Sequence, residues 1–269
     1  MRFINIIILS TLLYSTSFAY QDYDIDGVED AMDRCPNTPF DKLVDRWGCP
    51  QDNSYNGALT IKIGSDISVD EFSDNVKSLS LFVNYNYLDW DVSLSNSNYT
   101  VFDTSRFSDS GDIYLSISKL FKSDLLSTKI SLGTKQSTKD IDLNSDVYFG
   151  TGESDYFASV NFNYLLQKRQ NIFLYYGYTF SGDSLEIDYK NRHSYSIGSG
   201  YALTNRLYSS LSYEYSDSVY ADTEAYRAIS WFNSYSFSDT YFATVNYAHA
   251  LDDFSYDYTV SIKFGAYFE

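Results

Sequence analysis

The chain has 269 residues, of which 28 are Tyr, 19 Phe and 3 Trp, yet its mean hydropathy is −0.31. That pairing excludes a helical membrane protein, which needs runs of about 18 apolar residues, and a disordered chain, which is poor in aromatics. A formal net charge of −17 argues against nucleic acid and other polyanions as partners.

Proline and cysteine divide the chain. Pro36, Pro39 and Pro50 lie together with Cys35 and Cys49, and neither residue type occurs from Gln51 to Glu269. Proline removes a ladder hydrogen bond, so its absence over such a length fits a structure made almost wholly of paired strands. The boundary falls near residue 55.

Residues 1–19 read as an export signal. Arg2 supplies the positive start, Phe3 to Leu13 an apolar stretch, and Ser17-Phe18-Ala19 the small residues of a cleavage site, with cleavage expected after Ala19. Export makes a disulfide permissible.

Residues 20–57 carry the most specific motif. DYDIDGVEDAMD places Asp22, Asp24 and Asp26 at loop positions 1, 3 and 5, Gly27 at 6, Val28 at 7, Asp30 at 9 and Asp33 at 12. Alternate carboxylates converge, the glycine allows a sharp turn, and the seventh residue offers its carbonyl, an all-oxygen cage suited to Ca2+. Position 12 is Asp rather than Glu, and the cleavage site leaves no room for a preceding helix, so this is not an ordinary EF-hand. Next comes RCPNTPFDKLVDRWGCP. Together the two stretches resemble a thrombospondin type 3 repeat, with its Asp-rich loop, its CPNTP stretch and its ending at Val44, Asp45, Gly48, Cys49 and Pro50. The resemblance implies Ca2+ ligation by Asp22, Asp24, Asp26 and Asp33 with the Val28 carbonyl, and Asp30 and Asp45 as further ligands. So small a unit cannot bury a sufficient core and needs a metal or a disulfide. Closing Cys35 to Cys49 would contribute on the order of 3 kcal/mol. The expected module is a calcium-stapled, disulfide-closed spacer.

Residues 58–269 alternate with period two. In the last segment Tyr256, Tyr258, Val260, Ile262, Phe264, Ala266 and Phe268 form one face, while Asp257, Thr259, Ser261, Lys263, Gly265 and Tyr267 form the other. The same apolar register appears in Leu79 to Tyr87, Ile113 to Ile117, Tyr156 to Tyr164, Ile172 to Phe180, Tyr195 to Tyr201 and Leu207 to Tyr215, against faces of Ser, Asn, Thr and Gly. Short connections near 88–89, 122–125, 167–169, 204–205 and 236–239 alternate with longer ones near 66–76, 101–110, 138–154, 182–191, 217–224 and 251–254.

These delimit twelve strands, at 58–65, 77–87, 90–100, 111–121, 126–136, 155–166, 170–181, 192–203, 206–216, 225–235, 240–250 and 255–268. An even number of strands of about ten residues, with short turns at one end and long loops at the other, is the pattern of a bacterial outer-membrane barrel. The expected fold is therefore all-β, a transmembrane antiparallel up-and-down β-barrel preceded by the calcium module on the periplasmic side. Tyr85 and Tyr87, and Tyr176 and Tyr178, sit where aromatic girdles belong.

Of the 36 acids and 19 bases, residues 20–57 hold nine and three and the leader one base, so residues 58–269 keep 27 acids and 15 bases, a net charge of −12. Acids concentrate in the long loops, at Asp66, Asp70, Glu71 and Asp74, at Asp140, Asp142 and Asp146, at Asp183, Glu186 and Asp188, and at Asp252 and Asp253. An acidic mouth raises the local cation concentration.

Catalysis is not expected. His193 and His249 are the chain's two histidines. His193 and Ser194 are adjacent on a strand and must point to opposite faces, and Ser196 has the same parity as Ser194. The expected lumen carries Lys62, Asn84, Asn86, Lys129, Asn161, Asn163, Glu214, Asp257 and Lys263. Lys62 and Lys263 lie on the first and last strands, facing one another or bridged by Asp257. Two functions follow: a small porin-like outer-membrane channel for ions or small polar solutes, or a structural or surface-interaction barrel. Outer-membrane lipid is the expected surrounding, with peptidoglycan or another envelope protein as the module's contact.

Overall fold

A computed structural model describes residues 57–69, 75–101, 108–123, 125–138, 152–167, 169–182, 189–220 and 223–268. The calcium loop, Cys35 and Cys49, the signal segment and most of the acidic loop residues lie outside the described residues.

Twelve strands run β1 (Ala58–Val69), β2 (Val76–Tyr87), β3 (Trp90–Val101), β4 (Ser108–Lys122), β5 (Leu126–Gln136) and β6 (Asp155–Gln167), then β7 (Gln170–Phe180), β8 (Arg192–Ala202), β9 (Leu207–Ser216), β10 (Tyr226–Ser236), β11 (Tyr241–Ala250) and β12 (Tyr258–Phe268). Each pairs antiparallel with its neighbour in sequence, and β1 pairs with β12 to close the barrel. Closure removes both edges, so no row of backbone donors and acceptors is left unpaired.

Connections of two to four residues join the strands at one end and of six to eighteen at the other. One of the two shortest, Leu88-Asp89 between Tyr87 and Trp90, holds Leu88 at φ 56°. That left-handed conformation is the kind a two-residue hairpin demands and leucine disfavours.

The period-two reading places the faces correctly, and the strands differ from it chiefly in length. β1 extends to Val69 and β4 begins at Ser108, so residues assigned to long loops belong to strands. Asp66 is thereby on the barrel wall, paired with Ser261 and Ser78. β12 starts later, at Tyr258, so Asp257 falls in the preceding turn, where its carbonyl accepts the Ala250 N–H. A register shift between Asn96 and Asn98 marks a bulge in the β3/β4 pair, the local device that bends a barrel strand.

The apolar surface is on the outside. Leu132 is 58% exposed, Leu211 57%, Ile197 53% and Phe264 58%, whereas the buried set includes Ser78, Ser80, Ser118, Ser210 and Ser230. This inversion is the signature of a barrel whose exterior meets hydrocarbon. Aromatics gather at both rims. At the long-loop end Tyr195 stacks on Tyr215 at 4.6 Å and Tyr178 meets Phe180 edge-on at 4.7 Å. At the short-turn end Lys119 Nζ lies 4.7 Å from the Trp90 ring, an interfacial lysine laid over an aromatic.

Candidate functional site

Closing twelve strands encloses more space than the side chains of an eight-stranded barrel fill, so the inner wall is the natural site. Which residues line it follows from pairing. Lys62 is opposite Phe82 and Gly265, and Lys263 is opposite Gly64 and Thr244. All are on the face opposite the exposed Ile63 and Ile262.

Lys62 and Lys263 do not contact each other as a pair. The Lys62 ammonium lies 4.1 Å from the Phe82 ring centroid, and Lys263 Nζ is 3.6 Å from Asp66 Oδ1. Asp66 Oδ2 in turn accepts from Ser78 Oγ at 2.8 Å. No carboxylate bridges the two lysines: Asp66, carried onto the wall by the longer β1, partners Lys263 alone, while Asp257 precedes β12. Glu214 is on the inner face of β9, opposite Ser196 and Ala228, and accepts from Ser212 Oγ at 3.5 Å. Lys129 pairs with Asp91 at 2.8 Å, and Asn86 Nδ2 donates to Asp91 at 3.1 Å.

Sequence reasoning missed the densest cluster. Near the long-loop end Asp155, whose side chain is 1% exposed, accepts from Lys135 Nζ at 2.9 Å, from Arg192 at 3.2 Å and from the Gly182 N–H at 3.0 Å. Lys135 also lies 3.5 Å from Asp112. Two carboxylates stand against two cations, so each buried charged group has a partner of opposite sign. The signal was parity: Asp112 shares a face with Ser116 and Ser118, and Lys135 with Lys129. Asp155 and Arg192 stand at strand starts, where alternation has no preceding residue to confirm it.

Inward rings are matched to glycines across the sheet. Phe157 faces Gly133, Phe173 faces Gly198, and Phe242 faces Gly265. A Cβ on those glycines would stand 2.3, 2.4 and 2.2 Å from the opposing ring carbon. Each ring therefore lies over its glycine along the wall, in the space a side chain would have taken. Phe242 also stacks on Tyr267 at 4.5 Å.

The histidines face outward. His193 Nδ1 is 2.8 Å from Tyr176 Oη, and its ring meets Tyr178 edge-on at 4.8 Å. Ser194, on the other face, bonds Ser216 Oγ at 2.9 Å. No serine joins His193 in a nucleophile–base pair among the described residues.

No family model and no curated protein matches the chain. Solved structures share its fold. One is the COG4313 outer membrane channel from Pseudomonas putida F1, with TM-score 0.60 and 10% identity over 82% of this chain and 99% of that one. Another is the KdgM porin in complex with disordered oligogalacturonate, with TM-score 0.53 and 9% identity over 78% and 98%. At such identities the likeness is one of fold. The barrel of this chain has the fold of outer-membrane barrels, and its apolar exterior between aromatic rims is the surface that fold presents to lipid.

Proposed function

We propose that the chain is an outer-membrane channel for small polar solutes. One observation carries the reading: a twelve-strand wall is polar on its inner face, and the inward rings of Phe157, Phe173 and Phe242 lie back over glycines. A lumen lined in this way holds water in place of an apolar core. That the barrels of similar fold include a channel and a porin supports it. Full-length protein refolded into a planar bilayer should give discrete conductance steps, and a bilayer current indistinguishable from protein-free membrane would remove the channel.

The calcium module is a separate proposal. Residues 20–57 bind Ca2+ through Asp22, Asp24, Asp26 and Asp33 with the Val28 carbonyl and are closed by a Cys35–Cys49 disulfide, a reading supported by loop spacing and the thrombospondin-like ending. Asp22→Ala combined with Asp26→Ala should abolish Ca2+ binding by the full chain in calorimetry; unchanged affinity would refute the ligand set. The same motif favours a second function for the whole, a structural barrel whose module contacts peptidoglycan or another envelope protein. The conductance measurement separates the two.

A further inference from the structure

Charge is not spread evenly around the inner wall. On β12 and β1 to β5 it carries Lys263 with Asp66, Lys129 with Asp91, and Lys62 over Phe82. On β6 to β10 the short-turn half of the same face carries Asn161, Asn163, Asn171, Phe173, Tyr208 and Phe232, and no inward Asp, Glu, Lys or Arg among the described residues.

Four of these six are linked through side chains, and Phe173 stands opposite Asn163 in register. Asn171 Nδ2 donates to Asn163 Oδ1 at 2.7 Å, and Tyr208 Oη donates to Asn171 Oδ1 at 3.1 Å. Tyr208 and Phe232 lie 6.4 Å apart between centroids. Glycine makes the surface possible: a Cβ at Gly200 would overlap the Tyr208 phenol and approach Asn171 Oδ1, and one at Gly198 would overlap Phe173. Amide capacity is left over. Asn161 makes no side-chain hydrogen bond among the described residues, and Asn163 engages only its carbonyl oxygen.

We infer that this wall binds the pyranose rings of neutral oligosaccharides. A sugar ring offers a C–H face that packs on an aromatic and a rim of hydroxyls that both donate and accept. Ring faces beside primary amides meet both requirements without charge. An anionic sugar is poorly served on this wall: Lys129, Lys135, Arg192 and Lys263 each lie within 3.6 Å of a carboxylate, and Lys62, over the Phe82 ring, is on β1 and outside it. The inference rests on the channel reading and names its solute class.

The test uses the full chain in planar bilayers, with maltotriose and cellotriose as neutral probes, trigalacturonate as the anionic probe and an ethylene glycol oligomer of similar mass as the volume control. A neutral trisaccharide should reduce the current saturably. Phe173→Ala and Asn161→Ala should each weaken that effect, Phe173→Ala by about tenfold, the loss of one stacking face. Asn161→Ala removes no side-chain hydrogen bond among the described residues, so it reports even if Phe173→Ala fails to fold. The inference is overturned if both neutral sugars act no more than the glycol, if trigalacturonate binds more tightly, or if Asn161→Ala titrates like the parent. Calorimetry on the detergent-refolded protein keeps the two readings apart. Conductance steps without sugar heat overturn the site and leave the channel. Sugar heat without steps overturns the channel and leaves the site.

Discussion

Lys263 reaches Asp66 across Gly64, at the seam where the last strand meets the first. Lys263 is paired with Gly64, Asp66 is two residues on, and the ammonium stops 3.6 Å from the carboxylate. A Cβ on Gly64 would stand 2.4 Å from Lys263 Cγ and 2.3 Å from the Ile262 carbonyl oxygen. The second contact is backbone and cannot swing aside. Gly64→Ala should therefore destabilise the closed barrel by about 1–3 kcal/mol, the cost of overpacking. It should also lower the temperature at which the gel mobility of the detergent-folded protein shifts. An unchanged transition temperature would mean the seam is looser than its register.

Asp155 holds the long-loop end together, since Lys135, Arg192 and the Gly182 N–H converge on it. Asp155→Asn leaves two cations facing one buried carboxylate, Asp112. Removing one partner of a buried network costs about 3–5 kcal/mol. The loss should persist in high salt, because buried pairs are screened little. Unfolding in urea at low and high ionic strength measures both.

Two adjacent positions on β8 test which face meets lipid. Ile197 is 53% exposed on the outer face, and Ser196 is on the inner face opposite Glu214. Ile197→Arg should cost about 2–4 kcal/mol in a bilayer, as a cation near mid-membrane does. Ser196→Arg should fold, with its guanidinium beside Glu214, and should reduce conductance. Equal folding penalties for the two variants would contradict the face assignment.

In the β11–β12 connection, burial alone would raise the Asp252 carboxyl, but the Arg227 N–H, the Ser255 hydroxyl and the N–H groups of Phe254 and Ser255 outweigh it and hold the pKa below the usual value. A carboxyl lowered on folding contributes stability that is fully present above its unfolded pKa of about 3.9 and is lost as pH falls through the folded value. Amide exchange at Phe254 and Ser255 should accelerate in that acidic window. In Asp252→Ala it should already be fast at neutral pH, by the loss of on the order of 1 kcal/mol of local protection.

Much of the site was legible in sequence for one reason: a strand has period two, so once a single residue is known to face lipid, every other residue on that strand is assigned. Lys62, Lys129, Glu214 and Lys263 fall on the inner face by this rule. Asp66 reads as loop and Asp257 as wall in the sequence, the reverse of where β1 and β12 place them, because strand ends have no periodic signal.

By itself the sequence determined the class, the twelve strands and the two faces, because alternation, turn length and missing proline are local properties of a chain that must satisfy its backbone within a membrane. Partnership was decided only by the tertiary structure. Shear between strands sets which residue lies opposite which, so it placed Phe173 over Gly198, drew Asp112, Lys135, Asp155 and Arg192 from four strands into one cluster of two acids and two bases, and left the β6 to β10 wall, among the described residues, without inward charge over its short-turn half.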